Sequence, residues 1–339
     1  MKLFKYVTSD RIDILLNGKI RLTQPYIWND PFELQPYYKD YIPKNPLSQL
    51  LKLSKMIQNP SQFTIEELEE YEKERKRITK DDIYSFINKN IVGLSLTKEK
   101  DDLLMWAHYA SQHSGFVLEF ETESDFFQKH DRYLIKVGYD NTRPDVNTSE
   151  FAESIVNIIE LLKENKKLSD EEFIRISSIF RKSTEWEYEQ EWRLITTVNN
   201  TINFGEFEKN MNVIEVEFDS EINRTYHGEN YKAFFNIPIS CIKAVYCGAR
   251  MKRRLIRKLF FLTKFNINYT HINLLCSEID DKLYKINFRE VTELDVLSMT
   301  EFSYEQDANK KRLKYKLDYS VYKYEKEKKF YSNLNSIIK

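Results

Sequence analysis

The sequence predicts an α+β fold: a mixed, mostly antiparallel sheet core with helical insertions and a C-terminal helical tail. β-branched or alternating apolar runs recur along the first 288 positions, the pattern of sheet-forming segments. Amphipathic helical stretches cluster at about 46–90 and about 149–182 instead of separating every pair of strands. The seven glycines lie far apart, so the chain has no G-x-G-x-x-G or G-x-x-x-x-G-K-[ST] loop and no Rossmann or P-loop phosphate cradle.

Taken in order, Leu3 to Thr8 reads as a strand, Asp10 to Asn17 as a helical turn ended by Gly18, and Ile20 to Pro25 as a second extended piece. Trp28 to Glu33 is a loop, because Asn29 and Asp30 favour side-chain-to-backbone turns and Pro31 disfavours helix at Asp30. Pro46 to Asn90 reads as a charged helical insertion in which Thr64 and Glu67 have capping-box spacing. Ile91 to Thr97 suits a buried strand. Asp101 and Asp102 open a short helix, Gly115 ends it with a left-handed residue, and Phe116 to Phe120 resumes the sheet. Tyr133 to Tyr139 is a further strand, followed by helices over Glu150 to Asn165 and Asp170 to Lys182. Strands over 213–218, 241–247, 267–275 and 284–288 and a basic helix over 252–264 complete a single domain of residues 1–288. The run Arg250 to Arg257 reads as a solvated helix face. Residues 289–339 form a charged, Tyr-rich extension in which Leu313, Leu317, Val321 and Tyr324 keep helical spacing.

Two stretches hold the chemistry. In the short helix, Leu103, Trp106, Ala107, Tyr109, Ala110 and His113 share one broad stripe at 100° per residue, while His108 and Gln112 point the other way. Rings and imidazoles at this density fit a core seam or the wall of a pocket for a planar ligand. The second stretch, KSTEWEYEQEWRLITTV over 182–198, reads as a strand. Trp186, Tyr188, Trp192 and Leu194 fall on one face, with Glu187, Glu189, Glu191 and Arg193 on the other. Neighbouring carboxylates on a strand face repel, so this is either a solvated edge with Arg193 as counter-charge or a catalytic carboxylate pair.

Composition narrows the classes. With 339 residues, 41% hydrophobic, the chain can bury a large core, and a net charge of −1 argues against a dedicated nucleic-acid binder. Cys241, Cys247 and Cys276 make no C-x-x-C pair, the chain opens without a secretory apolar stretch, and no apolar run is long enough for a bilayer. These features predict a soluble, cytoplasmic protein with no membrane partner.

The motifs LFKY at 3–6, ILLNGKIRL at 14–22, WNDPFE at 28–33, LLMWAHYASQHSGFVLEF at 103–120, WEYEQEWRL at 186–194 and the strand ending CG at 247–248 resemble, in that order, a bacterial family catalogued as domain of unknown function 2971. A more distant likeness is to the ADP-ribosyltransferase-like fold. The opening LFKYVTSDRIDILLNGKI is similar to its first strand and helix, SLT at 95–97 to its Ser-Thr-Ser strand, and EQEWRLI at 189–195 to its Glu-x-Glu followed by an apolar strand. That resemblance implies NAD as substrate and ADP-ribose transfer or NAD hydrolysis, in the setting of a toxin or phage-defence effector. It implies Glu191 as the catalytic carboxylate, Glu189 as the acceptor-orienting one, Ser95 steadying Glu191, and Trp106 or Tyr109 stacking on nicotinamide. Lys5 stands where the fold usually has His or Arg. Around a nucleotide-type ligand the expected residues are Lys5, Tyr6, Asn29, Asp30, Ser95, Trp106, Tyr109, His113 and Arg193, with His108 joining the two glutamates in catalysis; the acceptor is a protein or nucleic acid. Two other readings stay open: a metal-dependent hydrolase or nuclease using His108, His113, Glu189, Glu191 and Asp30, and a non-catalytic sensor or interaction module.

Overall fold

The structure is a computed structural model that describes residues 1–39, 64, 66–67, 69, 79–129, 132–203, 233–299 and 323–333. Among these residues the strands are β1 (Lys2–Val7), β2 (Lys19–Leu22), β3 (Tyr37–Tyr38), β4 (Ile91–Thr97), β5 (Phe116–Glu121), β6 (Arg132–Lys136), β7 (Gly138–Tyr139), β8 (Asp145–Val146), β9 (Arg181–Lys182), β10 (Glu191–Thr197), β11 (Ile202–Asn203), β12 (Ala233–Asn236), β13 (Ile242–Cys247), β14 (Asn273–Ile279) and β15 (Ile286–Glu290). The helices are α1 (Asp13–Asn17), α2 (Lys80–Asn90), α3 (Leu103–Tyr109), α4 (Thr148–Lys163), α5 (Asp170–Ser178), α6 (Arg253–Phe265) and α7 (Glu293–Ser298), and residues 323–333 are also helical.

Eight strands form one open sheet in the order β15-β14-β13-β5-β1-β4-β10-β6, and every neighbouring pair is antiparallel except β13 and β14. Strands β11, β12 and β2 make a second, three-stranded sheet. The architecture is thus a mixed α/β one built on a large, mostly antiparallel open sheet. No helix among the described residues is long and apolar enough to cross a membrane.

Side-chain alternation sorts the sheet into two faces. Leu3, Val7, Val92, Leu94, Leu96, Leu118, Phe120, Leu194 and Val245 point into the main core, beneath α1, α6 and Tyr324 and Tyr331 of the last helix. Each such fully buried aliphatic side chain contributes about 1.5–3 kcal/mol. The opposite face carries two smaller cores. Ile91 and Ile195 meet apolar residues of α2, α4 and α5 at one end. Phe4, Tyr6, Val117 and Tyr246 surround Trp106 of α3 at the other. Between these two apolar patches the same face presents Ser95, Thr97, Glu191 and Arg193.

One irregularity opens the sheet there. Strands β1 and β4 share a single register pair, Phe4 with Thr97. Further along β4, Gly93 is paired instead with Thr23, each backbone N–H donating to the other's carbonyl at 2.9 Å. The two strands therefore part between these points, and the gap becomes the rim of a cleft.

Several sequence expectations need correction. The stretch 182–198 is not one strand: Thr184–Glu189 is a 3-10 helix, Gln190 is left-handed at φ 42°, and the ladder begins only at Glu191. The helical stripe through His113 stops at Tyr109, and the left-handed residues are Ser111, Gln112 and His113, not Gly115. Gly115 is required for another reason, since a Cβ there would sit 2.1 Å from the Val7 carbonyl oxygen. The second helix of the pair ends at Ser178, leaving Arg181 and Lys182 for strand pairing with β7. Residues 267–272 of the expected strand form a turn on the surface, tied down by Tyr269 and Ile272, which are buried, and the strand β14 starts only at Asn273. Arg257 leaves the predicted solvated face: it is buried and pairs with Glu327 at 2.9 Å. Thr64 and Glu67 do form their capping bonds. The expected strand over 213–218 and Leu313, Leu317 and Val321 of the tail lie outside the described residues, as does most of the insertion before α2.

Candidate active site

The register of β4 against β10 places Glu191 opposite Thr97 and Arg193 opposite Ser95, so a polar row crosses the sheet on the cleft side. The left-handed turn at Gln190 then folds the preceding 3-10 helix back, and Glu189 comes to the same place as Glu191 although the two do not share a strand. Both carboxylates are buried. Strand β9 brings Lys182 between them, with its Nζ 2.7 Å from Glu189 Oε2 and 2.6 Å from Glu191 Oε2. Arg193 binds Glu191 Oε1 through Nε at 3.0 Å and also through a terminal nitrogen. The other terminal nitrogen of Arg193 lies 2.5 Å from Glu33 Oε1, and Lys182 lies 4.0 Å from Glu33 Oε2. Three carboxylates thus surround two buried cations.

Buried ion pairs of this kind persist only when each charge is matched, because an unmatched one costs several kcal/mol. Burial alone would raise the Glu191 carboxyl, but Arg193, Lys182 and a hydrogen bond from Ser95 bring it down to about 2. Burial pushes Glu33 the other way, up to about 7, against the pull of Arg193. Burial also works against the Lys182 ammonium, yet Glu191, Glu33 and Glu189 leave its pKa above the ordinary lysine value.

Loop and helix residues complete the wall. Tyr109, the last residue of α3, donates its hydroxyl to Glu189 Oε1 at 2.5 Å. Asn29 donates to the same oxygen at 3.2 Å and to the Tyr109 oxygen. Burial, reinforced by Glu189, pushes the Tyr109 phenol well above its ordinary value, so it stays a donor. The Tyr139 hydroxyl accepts the Glu191 backbone N–H at 2.8 Å and steadies the start of β10. The cleft these groups enclose measures about 250 Å³, and Phe4, Lys5, Tyr6, Trp28, Asn29 and Met105 are among its lining residues.

Of the residues singled out from sequence, Lys5, Tyr6, Asn29, Ser95, Tyr109, Glu189, Glu191 and Arg193 all line this one cleft. Four others stand elsewhere. Trp106 is fully buried beside it, in edge contact with Tyr6, and its indole N–H donates to the Lys100 carbonyl at 2.9 Å. His108 is exposed, as its opposite phase on the short helix implied. His113 stacks at 8° on the Trp106 ring and lines a different cavity with Arg250 and Asp280. Asp30 is buried and takes the Phe32 N–H at 2.9 Å, as an Asn/Asp turn does, and it lines a neighbouring cavity. The two histidines are thus apart from the carboxylates that a shared metal would need, and those carboxylates already hold Lys182 and Arg193.

Sequence reading missed Lys182, Glu33, Trp28 and Tyr139. Glu33 stood inside the WNDPFE motif and Lys182 at the edge of the acidic stretch. Nothing local announces that a loop glutamate and a lysine will neutralise charges on strand β10.

Residues 105–194, from α3 through the first half of β10, match the family described as Protein of unknown function (DUF2971). Neither the curated proteins nor the solved structures give a match to the chain.

Proposed function

We propose that the family segment and the strands around it form the active site of an NAD-using enzyme, which breaks the bond between nicotinamide and ribose and passes ADP-ribose to water or an acceptor. The observation that carries this reading is the convergence of Glu189 and Glu191, both buried, with Tyr109, Asn29 and Lys5 on one cleft. As the bond to nicotinamide lengthens, its electron pair leaves with the ring nitrogen and positive charge grows on the ribose. A carboxylate fixed in a partly dry cleft stabilises that charge without reorganising. Glu191 meets the requirement, since Arg193 and Lys182 hold it ionised before substrate arrives. Glu189, oriented by Tyr109 and Asn29, takes the proton from the water or acceptor hydroxyl that adds to the ribose carbon. Phe4, Tyr6 and Tyr109 line the cleft where a planar leaving group would sit. The ADP-ribosyltransferase-like resemblance of the first strand and of 189–195 supports the same reading, as does a cleft that uses no glycine-rich loop.

Release of nicotinamide from NAD by the purified chain, with water or with protein and nucleic-acid acceptors, tests it. The wild type is expected to release nicotinamide and Glu191→Gln to lose that activity. A folded wild type that releases none with any of these acceptors overturns the proposal.

A further inference from the structure

Two lysines border the cleft in opposite circumstances. Lys182 is sealed between Glu189 and Glu191, and that ammonium serves the ion cluster. Lys5 lines the same cleft at the parting of β1 and β4, and among the described residues it makes no direct hydrogen bond or ion pair. Its charge is balanced only at a distance by Glu191 and Glu189, while Arg193 and Arg11 oppose it. A partly buried lysine held near other cations is an arrangement that makes an amine nucleophilic.

We infer that Lys5 is a nucleophilic amine that forms an imine with an aldehyde-bearing ligand in this cleft, the open-chain form of a ribose phosphate ester. The choice of ribose rests on the proposed NAD cleavage, whose hydrolysis product carries that latent aldehyde. Burial, with Arg193 and Arg11 adding to it, lowers the Lys5 pKa to about 8, so a useful fraction is neutral near pH 7.5. In the step, Nζ adds to the aldehyde carbon and the carbonyl oxygen takes up a proton, giving a carbinolamine. Loss of one water then leaves the C=N bond. The sum is amine plus aldehyde giving imine plus water, with no oxidant or reductant.

The test incubates the full chain with ADP-ribose and sodium cyanoborohydride, which reduces an imine to a stable amine, and locates the adduct by peptide mass spectrometry. Lys5 is expected to be modified at least about tenfold faster than surface lysines, and the rate should fall about tenfold per unit below pH 7, as a neutral-amine nucleophile requires. Lys5→Met and Lys5→Arg should both abolish that adduct; the arginine keeps the charge and guards against a folding defect. Labelling spread over surface lysines, with Lys5 no faster than the rest, overturns the inference. Wild-type protein that releases nicotinamide from NAD but labels Lys5 no faster than surface lysines overturns the imine and leaves the proposed reaction standing. If the wild type traps ADP-ribose at Lys5 but cleaves no NAD, the imine stands and the proposed reaction falls.

Discussion

The guanidinium carbon of Arg193 lies 3.6 Å from the centre of the Trp28 ring, so an aromatic face from the loop after β2 closes over a cation from β10. The small residue beneath them permits it: a Cβ on Gly93 would come within 3.1 Å of both the Trp28 ring and the Arg193 side chain. A desolvated cation–π contact is worth about 2 kcal/mol. Trp28→Ala is therefore expected to lower stability by about 2–3 kcal/mol, read from urea denaturation, and Gly93→Val should act in the same direction. A Trp28→Ala protein as stable as the wild type would show that the stack contributes nothing.

Lys182 carries the balance of the cluster. Lys182→Met leaves two buried carboxylates short of their shared cation, and breaking such a pair costs about 3–5 kcal/mol. Adding Glu189→Gln to Lys182→Met should recover part of that loss, because the removed charges were each other's partners. Additive effects in this double-mutant cycle would contradict the coupling.

Acid stability follows from Glu191. Its carboxyl is near 2 in the fold against an ordinary 4.5, so its stabilisation is complete above about 4.5 and is lost as pH falls towards 2. Glu33, raised from 4.5 to about 7, acts oppositely: its contribution is present below 4.5 and is lost as pH rises through 7. Denaturation midpoints measured from pH 3 to pH 8 should show the low-pH slope reduced in Glu191→Gln and the neutral slope reduced in Glu33→Gln.

Under the proposed reaction, Glu191→Gln should lower the rate of nicotinamide release by at least about 10²-fold, the scale for removing one preorganised electrostatic group. Tyr109→Phe deletes only the hydroxyl that orients Glu189, so its stability cost should be about 1 kcal/mol while turnover falls. Steady-state assays on the folded variants check both.

Position, more than residue type, separates the next pair. His108→Ala, on an exposed site, should change stability by less than about 0.5 kcal/mol and leave activity intact. Gly115→Ala places a methyl 2.1 Å from the Val7 oxygen and forces β5 away from β1, so thermal unfolding should shift markedly downward.

Much of the scaffold could be read from local pattern. Ile91 to Thr97 is a strand over the expected span, Asp102 caps α3 by accepting the Met105 N–H at 2.8 Å, and Ser169 with Glu172 forms a capping box. Such features depend on neighbours three or four positions away. The acidic stretch misled for a related reason: alternation along 182–198 fits a strand, yet the turn at Gln190 breaks it, and that turn answers to tertiary contacts.

The amino-acid order alone determined the sheet-forming runs, the helix caps, and the presence of an acidic cluster and a ring-bearing helix, because these follow from side-chain chemistry repeated at short spacing. Only the folded chain decided that Tyr109 reaches Glu189 while Trp106 is sealed in the core, that Lys182 comes between Glu189 and Glu191, and that Glu33 lies against Arg193. Those meetings join residues up to 160 positions apart, as Asn29 and Glu189 show. They are fixed by where β1 and β4 separate and by the need of Glu189, Glu191 and Arg193, all buried, for charged partners.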